Sequence, residues 1–405
     1  MKVLALGGSG DMGRMAVTVL LPSSKITSIT IADKNYEFTK TFVELVGSDK
    51  LSAVEIDVTN QKELNDLILR HDIVLNTVGP YYKFGKFILD AVINAKKPYF
   101  DICDDWKPTL ELLEMDEKAK KAGVTAIVGI GASPGVLNLM AVMASSSLDK
   151  VDEVVTAWGM GPVKSGKKPK YFIKKKKIFK KLGKPVEETA TANAAIVHLL
   201  YESIGKIPTF KDGERVEIEA LTEVDPIQFP GYADAYAVHI GHPEPITLPR
   251  TINANSISNV MFIGKNATAI VREYSNKITK NEISITDAAI KLNEEFERAQ
   301  GDSSLLKEYF NMPPELCVIA TGLKNNKRIK IAIGLKYSPY GEMAGITGIP
   351  LAVATLMYID GNIQEKGVLT PEEAINPDEF FNRYAVYCKE SLTKNDVLII
   401  KEENL

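Results

Sequence analysis

The chain has 405 residues, 45% hydrophobic and 25% charged, with a net charge of −3. That length predicts two or three domains around large cores. The near-balanced charge argues against a nucleic-acid binder as a whole, and no uninterrupted apolar run approaches the roughly 18–20 residues of a membrane span. Three cysteines (Cys103, Cys317 and Cys388) lie too far apart for a disulfide framework or a zinc pattern. With no leader-like run before the first strand, the expected location is cytoplasmic.

Met1–Leu6 is an apolar run of strand length. Gly7-Gly-Ser-Gly-Asp-Met-Gly13 follows, and Arg14–Leu21 reads as a helix. Glycines 8, 10 and 13 have the spacing G-x-G-x-x-G in a strand–turn–helix context. Gly8 is expected to permit the tight turn, Gly10 to let backbone approach a pyrophosphate, and Gly13 to let helix and strand pack closely. The helix N-terminus would offer that pyrophosphate its unpaired N–H groups. Ser28–Ala32 is the second strand and ends at Asp33, about 20 residues past the last glycine, where such folds bind the adenosine ribose hydroxyls. An aspartate there favours NAD because it repels a 2′-phosphate, while Lys34 beside it keeps NADP open.

Leu51–Ile56 is a third strand, followed by Asp57-Val-Thr-Asn60 and a helix over Gln61–Arg70. Ile73–Thr77 is the fourth and runs into Val78-Gly-Pro-Tyr-Tyr82. This loop follows a strand next to the reversal in strand order, where open α/β sheets bind ligands. A helix over Lys86–Ala95, a strand over Tyr99–Ile102, the acidic segment Cys103-Asp-Asp105, a helix over Thr109–Ala122 and a strand over Thr125–Val128 complete six parallel strands. Gly129-Ile-Gly-Ala-Ser-Pro-Gly-Val136 then opens a helix, with Ser133 as N-cap and Pro134 at the first helical position.

Beyond about residue 145 the pattern becomes strand-rich: Val151–Gly159, Arg215–Leu221, Ala233–Ile240 and Val260–Val271 read as strands. Ser284–Ala299 reads as a helix, and Cys317–Leu323 and Arg328–Leu335 flank the hairpin turn Lys324-Asn-Asn-Lys327. An apolar helix starts at Gly345-Ile-Thr-Gly-Ile-Pro350. Thr370-Pro-Glu-Glu373 and Asn376-Pro-Asp-Glu379 are two further helix starts with capping-box spacing. The reading is a Rossmann doubly wound parallel sheet, residues 1–130 with 345–405, interrupted by an inserted α+β domain of mainly antiparallel sheet, residues 131–344. Residues 164–184 stand apart with eleven lysines and no acid; a solvated loop, a lid for an anionic substrate or a contact for an acidic partner all fit them.

Metal chemistry finds little support: His239-x-x-His242 lacks a third ligand, so no metal centre is expected. Neither a nucleophile elbow nor a Walker A sequence is present. The chemistry would be that of the dinucleotide.

The blocks Gly8–Gly13, Val78–Tyr82, Tyr99–Ile102 and Gly131-Ala-Ser-Pro-Gly-Val-Leu-Asn138, with the late Gly345–Pro350 and Gly367-Val-Leu-Thr-Pro-Glu372, resemble the saccharopine dehydrogenase-like oxidoreductases, among them saccharopine reductase, lysine 6-dehydrogenase and carboxynorspermidine dehydrogenase. The resemblance runs to about residue 390 and is weakest between 160 and 280. It implies NAD(P)-dependent hydride exchange at the carbon of an amino-acid C–N bond, a role in amino-acid or lysine metabolism, and a homodimer; membrane and nucleic-acid partners are not expected. Gly8, Ser9, Gly10, Asp11, Met12 and Gly13 would lie on the pyrophosphate, Asp33 and Lys34 on the adenosine ribose, and Asp57 and Val58 beside the adenine. Val78, Gly79, Pro80, Asp101 and Ile102 would lie near the nicotinamide and its ribose, with Pro134 touching the cofactor. Tyr81, Tyr82, Cys103 and Asp104 would meet the substrate. Where relatives often have Asp-Pro-Gly this chain has Ser133-Pro-Gly135, one charge fewer.

Reducing an imine needs hydride on carbon and a proton on nitrogen. Asp104, with Asp105 alongside, is the candidate to bind or deprotonate the substrate ammonium, and Tyr82 the candidate proton relay. Two alternatives stay open: a dinucleotide-dependent oxidoreductase on another carbonyl or double bond, and a non-catalytic dinucleotide sensor.

Overall fold

The structure is a computed structural model that describes residues 1–159, 164–165, 194–299, 311–389 and 391–405. Most of the Lys-rich segment, residues 166–184, lies outside them. The described residues fall into two compact units, one built from residues 1–139 and 337–397 and the other mainly from 140–159, 194–336 and 398–405.

In the first unit, strands β1 (Lys2–Leu6), β2 (Ser28–Asp33), β3 (Leu51–Glu55), β4 (Ile73–Asn76), β5 (Tyr99–Asp101) and β6 (Thr125–Ile127) alternate with helices α1 (Asp11–Leu20), α2 (Tyr36–Val46), α3 (Gln61–Leu69), α4 (Tyr81–Asn94), α5 (Trp106–Leu113) and α6 (Asp116–Ala122). All pairings are parallel, in the order β6-β5-β4-β1-β2-β3. The late strand Gly367–Leu369 adds a seventh beside β6, also parallel. The chain therefore reverses direction between β1 and β4, the switch point at which doubly wound sheets open a ligand crevice. The inner strands are apolar throughout because helices cover both faces: Val3, Leu4, Leu6, Ile73 and Val74 are fully buried.

The late helices belong to this unit. Glu342–Ile359 packs along α1 so closely that a Cβ on Gly348 would stand 2.3 Å from the Met12 carbonyl oxygen. Thr370 and Glu373 form a capping box, and the Asn376 side chain accepts from the Glu379 N–H, as their spacing predicts. Among the described residues, Glu342–Ile359 is also one helix long and apolar enough to cross a membrane. The sequence reading starts this helix at Gly345, and two glycines, Gly345 and Gly348, with Pro350 interrupt its apolar run. Here most of it is buried within the unit.

The second unit holds a mixed sheet in the order Glu214–Glu219, Lys206–Lys211, Ser256–Phe262, β7 (Lys150–Gly159), Leu316–Lys324, Lys327–Leu335 and Leu398–Asn404, with Val238–His239 paired to Ser256–Phe262. Its pairs are antiparallel except β7 with Ser256–Phe262. The hairpin turn is as expected, with Asn325 and Asn326 both at positive φ, as a two-residue turn of this hand requires.

Several expectations need correction: of the expected strand Ala233–Ile240 only Val238–His239 forms one, and the expected helix Thr109–Ala122 is two, α5 and α6. The run Val260–Val271 is not one strand: Gly264, at φ +85°, ends the strand, and Lys265–Thr279 is a helix that buries Thr268, Val271, Tyr274 and Ser275 at helical spacing. The last strand, Leu398–Asn404, pairs with Lys327–Leu335 in this sheet instead of staying with the first unit; Leu398 is buried and Ile399 packs against the core of the second unit.

Because Gly348 meets backbone rather than a movable side chain, Gly348→Ala is expected to cost about 1–3 kcal/mol, read as a lowered denaturant midpoint. An unchanged midpoint would contradict the packing of this helix on α1.

Candidate functional site

The site is built at the carboxyl edge of the parallel sheet. Between β1 and α1 the chain reverses at Gly7, whose φ is +68° and whose Cβ would stand 2.9 Å from the Thr77 carbonyl carbon. The tight turn thus belongs to Gly7, one residue before the expected Gly8. Gly8 instead lies against Ala5, with 2.8 Å to a Cβ that it lacks. Gly13 allows the helix to sit on the strand: its Cβ would be 2.6 Å from the Gly8 Cα. At Gly10 a Cβ would meet only the Gly7 carbonyl oxygen, at 3.4 Å, so the space ahead of it is open.

Gly10 is the N-cap of α1, and no side chain caps it. The N–H groups of the first turn, Asp11 to Gly13, thus face outward at the positive end of the helix. The loop fits a pyrophosphate: a side chain is missing where an anion would approach, and donors stand where a cap would otherwise be. Ser9 is buried and its hydroxyl donates to Asp33 Oδ2 at 2.5 Å, so Ser9 ties the loop to β2 while its backbone stays at the loop. Asp11 is exposed and pairs with the buried Arg14, whose guanidinium lies over the Phe38 ring.

Asp33 ends β2 and accepts from the Asn35 N–H as well as from Ser9; Lys34 is exposed beside it. Asp57 is exposed and accepts from both the N–H and the hydroxyl of Thr59. These bonds hold its carboxyl below the usual range, helped by the charges of Lys34 and Lys83. Lys34 and Lys83 are thus near enough for their charges to act on Asp57. Val58 is buried in the core.

The loops after β4, β5 and β6 are locked by one buried network. Asp101, fully buried, accepts from the N–H of Gly129 at 2.8 Å and of Cys103 at 3.0 Å, and from the Tyr99 hydroxyl at 2.8 Å. The Tyr99 hydroxyl in turn accepts from Asn76 Nδ2, and Asn76 Oδ1 takes the Val78 N–H. Burial raises the Asp101 carboxyl to about 6, against the pull of its N–H donors. The Tyr81 hydroxyl donates to the Asn76 carbonyl and accepts from the Ile102 N–H.

The predicted residues thus separate into two groups. Asp101, Tyr81 and Cys103 are buried and support the edge from within. Burial pushes the Tyr81 phenol and the Cys103 thiol well up, and the thiol packs near Thr109 Oγ1 and the Asp105 carbonyl. Gly79, Pro80 and Tyr82 are exposed, and Val78, Ile102, Asp104 and Asp105 are half-buried. The helix α4 begins at Tyr81 rather than at Lys86, so Tyr82 stands on its first turn. Asp105 is the N-cap position of α5. The helix after β6 begins at Val136, three residues after the expected cap Ser133: Gly135 folds back onto Gly131 and its N–H is taken by the Asn138 side chain. Pro134 is buried over Gly129. The sequence missed Gly7, whose signal was its place directly after the apolar strand, and Asn76 and Tyr99, which look like ordinary strand residues.

Residues 3–127 match the family model described as the saccharopine dehydrogenase NADP binding domain, and residues 131–387 match that of the saccharopine dehydrogenase C-terminal domain. Among curated proteins, a saccharopine dehydrogenase [NADP(+), L-glutamate-forming] of Pyricularia oryzae is 22% identical over 459 aligned residues, covering 96% of this chain and 99% of that one. A carboxynorspermidine synthase of Vibrio cholerae is 26% identical over 38% of this chain and 42% of its own length. Among solved structures, an apo saccharopine dehydrogenase (L-Glu forming) of Saccharomyces cerevisiae superposes with a TM-score of 0.62 at 16% identity, over 100% of this chain and 99% of that one. That likeness shows the fold.

The two glycines make separable expectations. Gly13→Ala forces α1 off the strand and should lower stability by about 1–3 kcal/mol. Gly10→Ala should leave stability nearly unchanged and weaken dinucleotide binding by about tenfold or more, measured by fluorescence titration; equal affinities for Gly10→Ala and the parent would remove the pyrophosphate from this loop.

Proposed function

The chain belongs to the saccharopine dehydrogenase family, whose two domain models together match residues 3–127 and 131–387, and from that premise we propose that it is a nicotinamide-dependent oxidoreductase acting on the C–N bond of an amino acid. The observation that carries the reading is the open glycine cradle at Gly10 within a chain that matches both family domains. Relatives spanning nearly the whole chain, from Pyricularia oryzae and Schizosaccharomyces pombe, are both named saccharopine dehydrogenase [NADP(+), L-glutamate-forming]. Another carbonyl substrate and a non-catalytic sensor draw no comparable support.

The dinucleotide supplies the hydride exchange at carbon. The chain must then manage the nitrogen, which carries positive charge as an ammonium or iminium and gains or loses a proton. Asp104 is the residue for that work. It lies half-buried after β5, close enough for its charge to bear on Asp101, whereas Asp101 itself is engaged by Gly129, Cys103 and Tyr99. A carboxylate at Asp104 holds a substrate ammonium and accepts its proton as the amine is oxidised. Tyr82, exposed on the first turn of α4, is the candidate relay to water.

For the cofactor, the reading is NADP. The description of the matching domain supports it, as does the charge around Asp57: Lys34 and Lys83 both lower its carboxyl and stand available to a 2′-phosphate. The preference for NAD argued from Asp33 weakens because that carboxylate is already held by Ser9 and Asn35.

The full chain, assayed by nicotinamide absorbance against amino acids and aldehyde–amine mixtures, should turn over with NADP on at least one amine or imine. In that assay Asp104→Asn should lose about 10²–10⁴ in kcat/KM with dinucleotide affinity unchanged; full turnover would remove Asp104 from the mechanism. Lys34→Ala should raise KM for NADP about tenfold and leave that for NAD in place, the cost of roughly one exposed charge on phosphate. Equal effects on both cofactors would return the choice to Asp33 and NAD.

A further inference from the structure

The second unit contains a buried constellation that the sequence does not announce. His198 and Glu202 stand four residues apart on the helix Ala194–Glu202, so their side chains lie on one face. The chain returns to that helix end at Gly241, whose N–H donates to the Glu202 carbonyl at 3.0 Å. A Cβ there would stand 2.8 Å from Ile207 Cγ2 and 3.1 Å from the Glu202 carbonyl oxygen. This close approach delivers His242 to the same point. Glu202 Oε1 lies 2.8 Å from His198 Nε2 and 2.7 Å from His242 Nε2. On its far side, His242 Nδ1 lies 3.2 Å from Glu244 Oε2.

Glu202, His242 and Glu244 are all buried, Glu244 completely, while the His198 side chain is 20% exposed. The Trp158 ring stands 5.8 Å from that of His242. The three donor atoms, two imidazole Nε2 and one carboxylate oxygen, lie within 4.8 Å of one another.

We propose that His198 Nε2, Glu202 Oε1 and His242 Nε2 form a binding site for a zinc-type divalent cation. Nitrogen and carboxylate donors of this kind bind zinc at about 2.0–2.2 Å, so each has only to draw back by a few tenths of an ångström to admit the ion. The Glu244 carboxylate on Nδ1 of His242 is the outer partner that fixes a ligating imidazole's tautomer and orientation. Charge points the same way: two buried carboxylates balance one dication when both imidazoles are neutral, and no buried charge is left over. His239, which the sequence pairs with His242, is not among the donors; the other two donors come from a helix some forty residues earlier, beyond the reach of a spacing pattern.

The test uses the full chain, stripped with chelator and titrated with zinc alone by competition with a chromophoric chelator. One ion per chain is expected. His198→Ala, at the partly exposed position, should weaken binding at least tenfold, and Glu244→Gln, which leaves all three donors in place, about 10–100-fold; circular dichroism checks that both variants keep the fold. Cobalt in place of zinc should show the visible bands of a four-coordinate site in the parent and lose them in His198→Ala. Failure to bind one ion, or an affinity that both substitutions leave unchanged, would overturn the proposal and leave a hydrogen-bonded histidine–glutamate cluster. Neither outcome depends on turnover, so the dehydrogenase reading stands or falls separately.

Discussion

A single buried carboxylate holds the carboxyl edge of the parallel sheet in shape. Asp101 takes the N–H groups of Cys103 and Gly129 and the hydroxyl of Tyr99, and through Tyr99 it reaches Asn76. The loops after β4, β5 and β6 are thereby set by one hydrogen-bonded group. Its removal would strand several buried donors, each at about 1–3 kcal/mol. The carboxylate is nevertheless not a net source of stability. Its folded value of about 6 stands above the ordinary 3.8, so the folded state holds the proton more tightly than the unfolded one. The group therefore favours folding most in acid, and this advantage is lost as the pH rises from about 4 to 6. At neutral pH the deficit is on the order of 3 kcal/mol. The interaction determines geometry at a cost in stability, as buried charged groups often do.

That arrangement explains how three aspartates within five residues acquire three roles. Asp101 is sealed in and fully bonded. Asp105 occupies the N-cap position of α5, where its carbonyl accepts from the Thr109 N–H and hydroxyl. Asp104, between them, is half-buried and its charge is felt by Asp101. The strand's alternation turns the first inward, the helix start claims the third, and the middle residue is only half-buried.

The first unit was largely legible in the sequence because its signals are local. Glycine spacing, apolar runs of strand length and proline-led caps each act within a few residues, and each strand through β6 falls near its expected place. The failures are tertiary. Gly8 was given the turn because the fingerprint is read by spacing, whereas positive φ falls on Gly7, which must pass beneath Thr77. Tyr81 and Cys103 look like site residues in the blocks they belong to, and only the fold shows that they face inward. In the second unit, Val260–Val271 reads as one strand because the β-branched residues of its second half continue those of Ser256–Phe262. The turn at Gly264 and the buried spacing of Thr268, Val271, Tyr274 and Ser275 decide for helix.

The Asp101 network and the histidine–glutamate cluster differ in the same respect. The Asp101 network is drawn mostly from consecutive segments of one parallel sheet, so a reader of sequence at least looks in the right place. The His198, Glu202, His242 and Glu244 cluster joins a helix face to a turn after a two-residue strand, and its approach depends on the missing side chain of Gly241. Nothing about those four residues stands out by composition, and the nearest pair by spacing, His239 and His242, is the wrong one. Burial supplies the missing signal. Two carboxylates enclosed with imidazoles in an otherwise apolar core around Val238, Ile240 and Met261 require a compensating positive charge at one definite point. Protons shared with the histidines can provide it, or a cation held by the same atoms, and the choice between them sets what the second unit can bind.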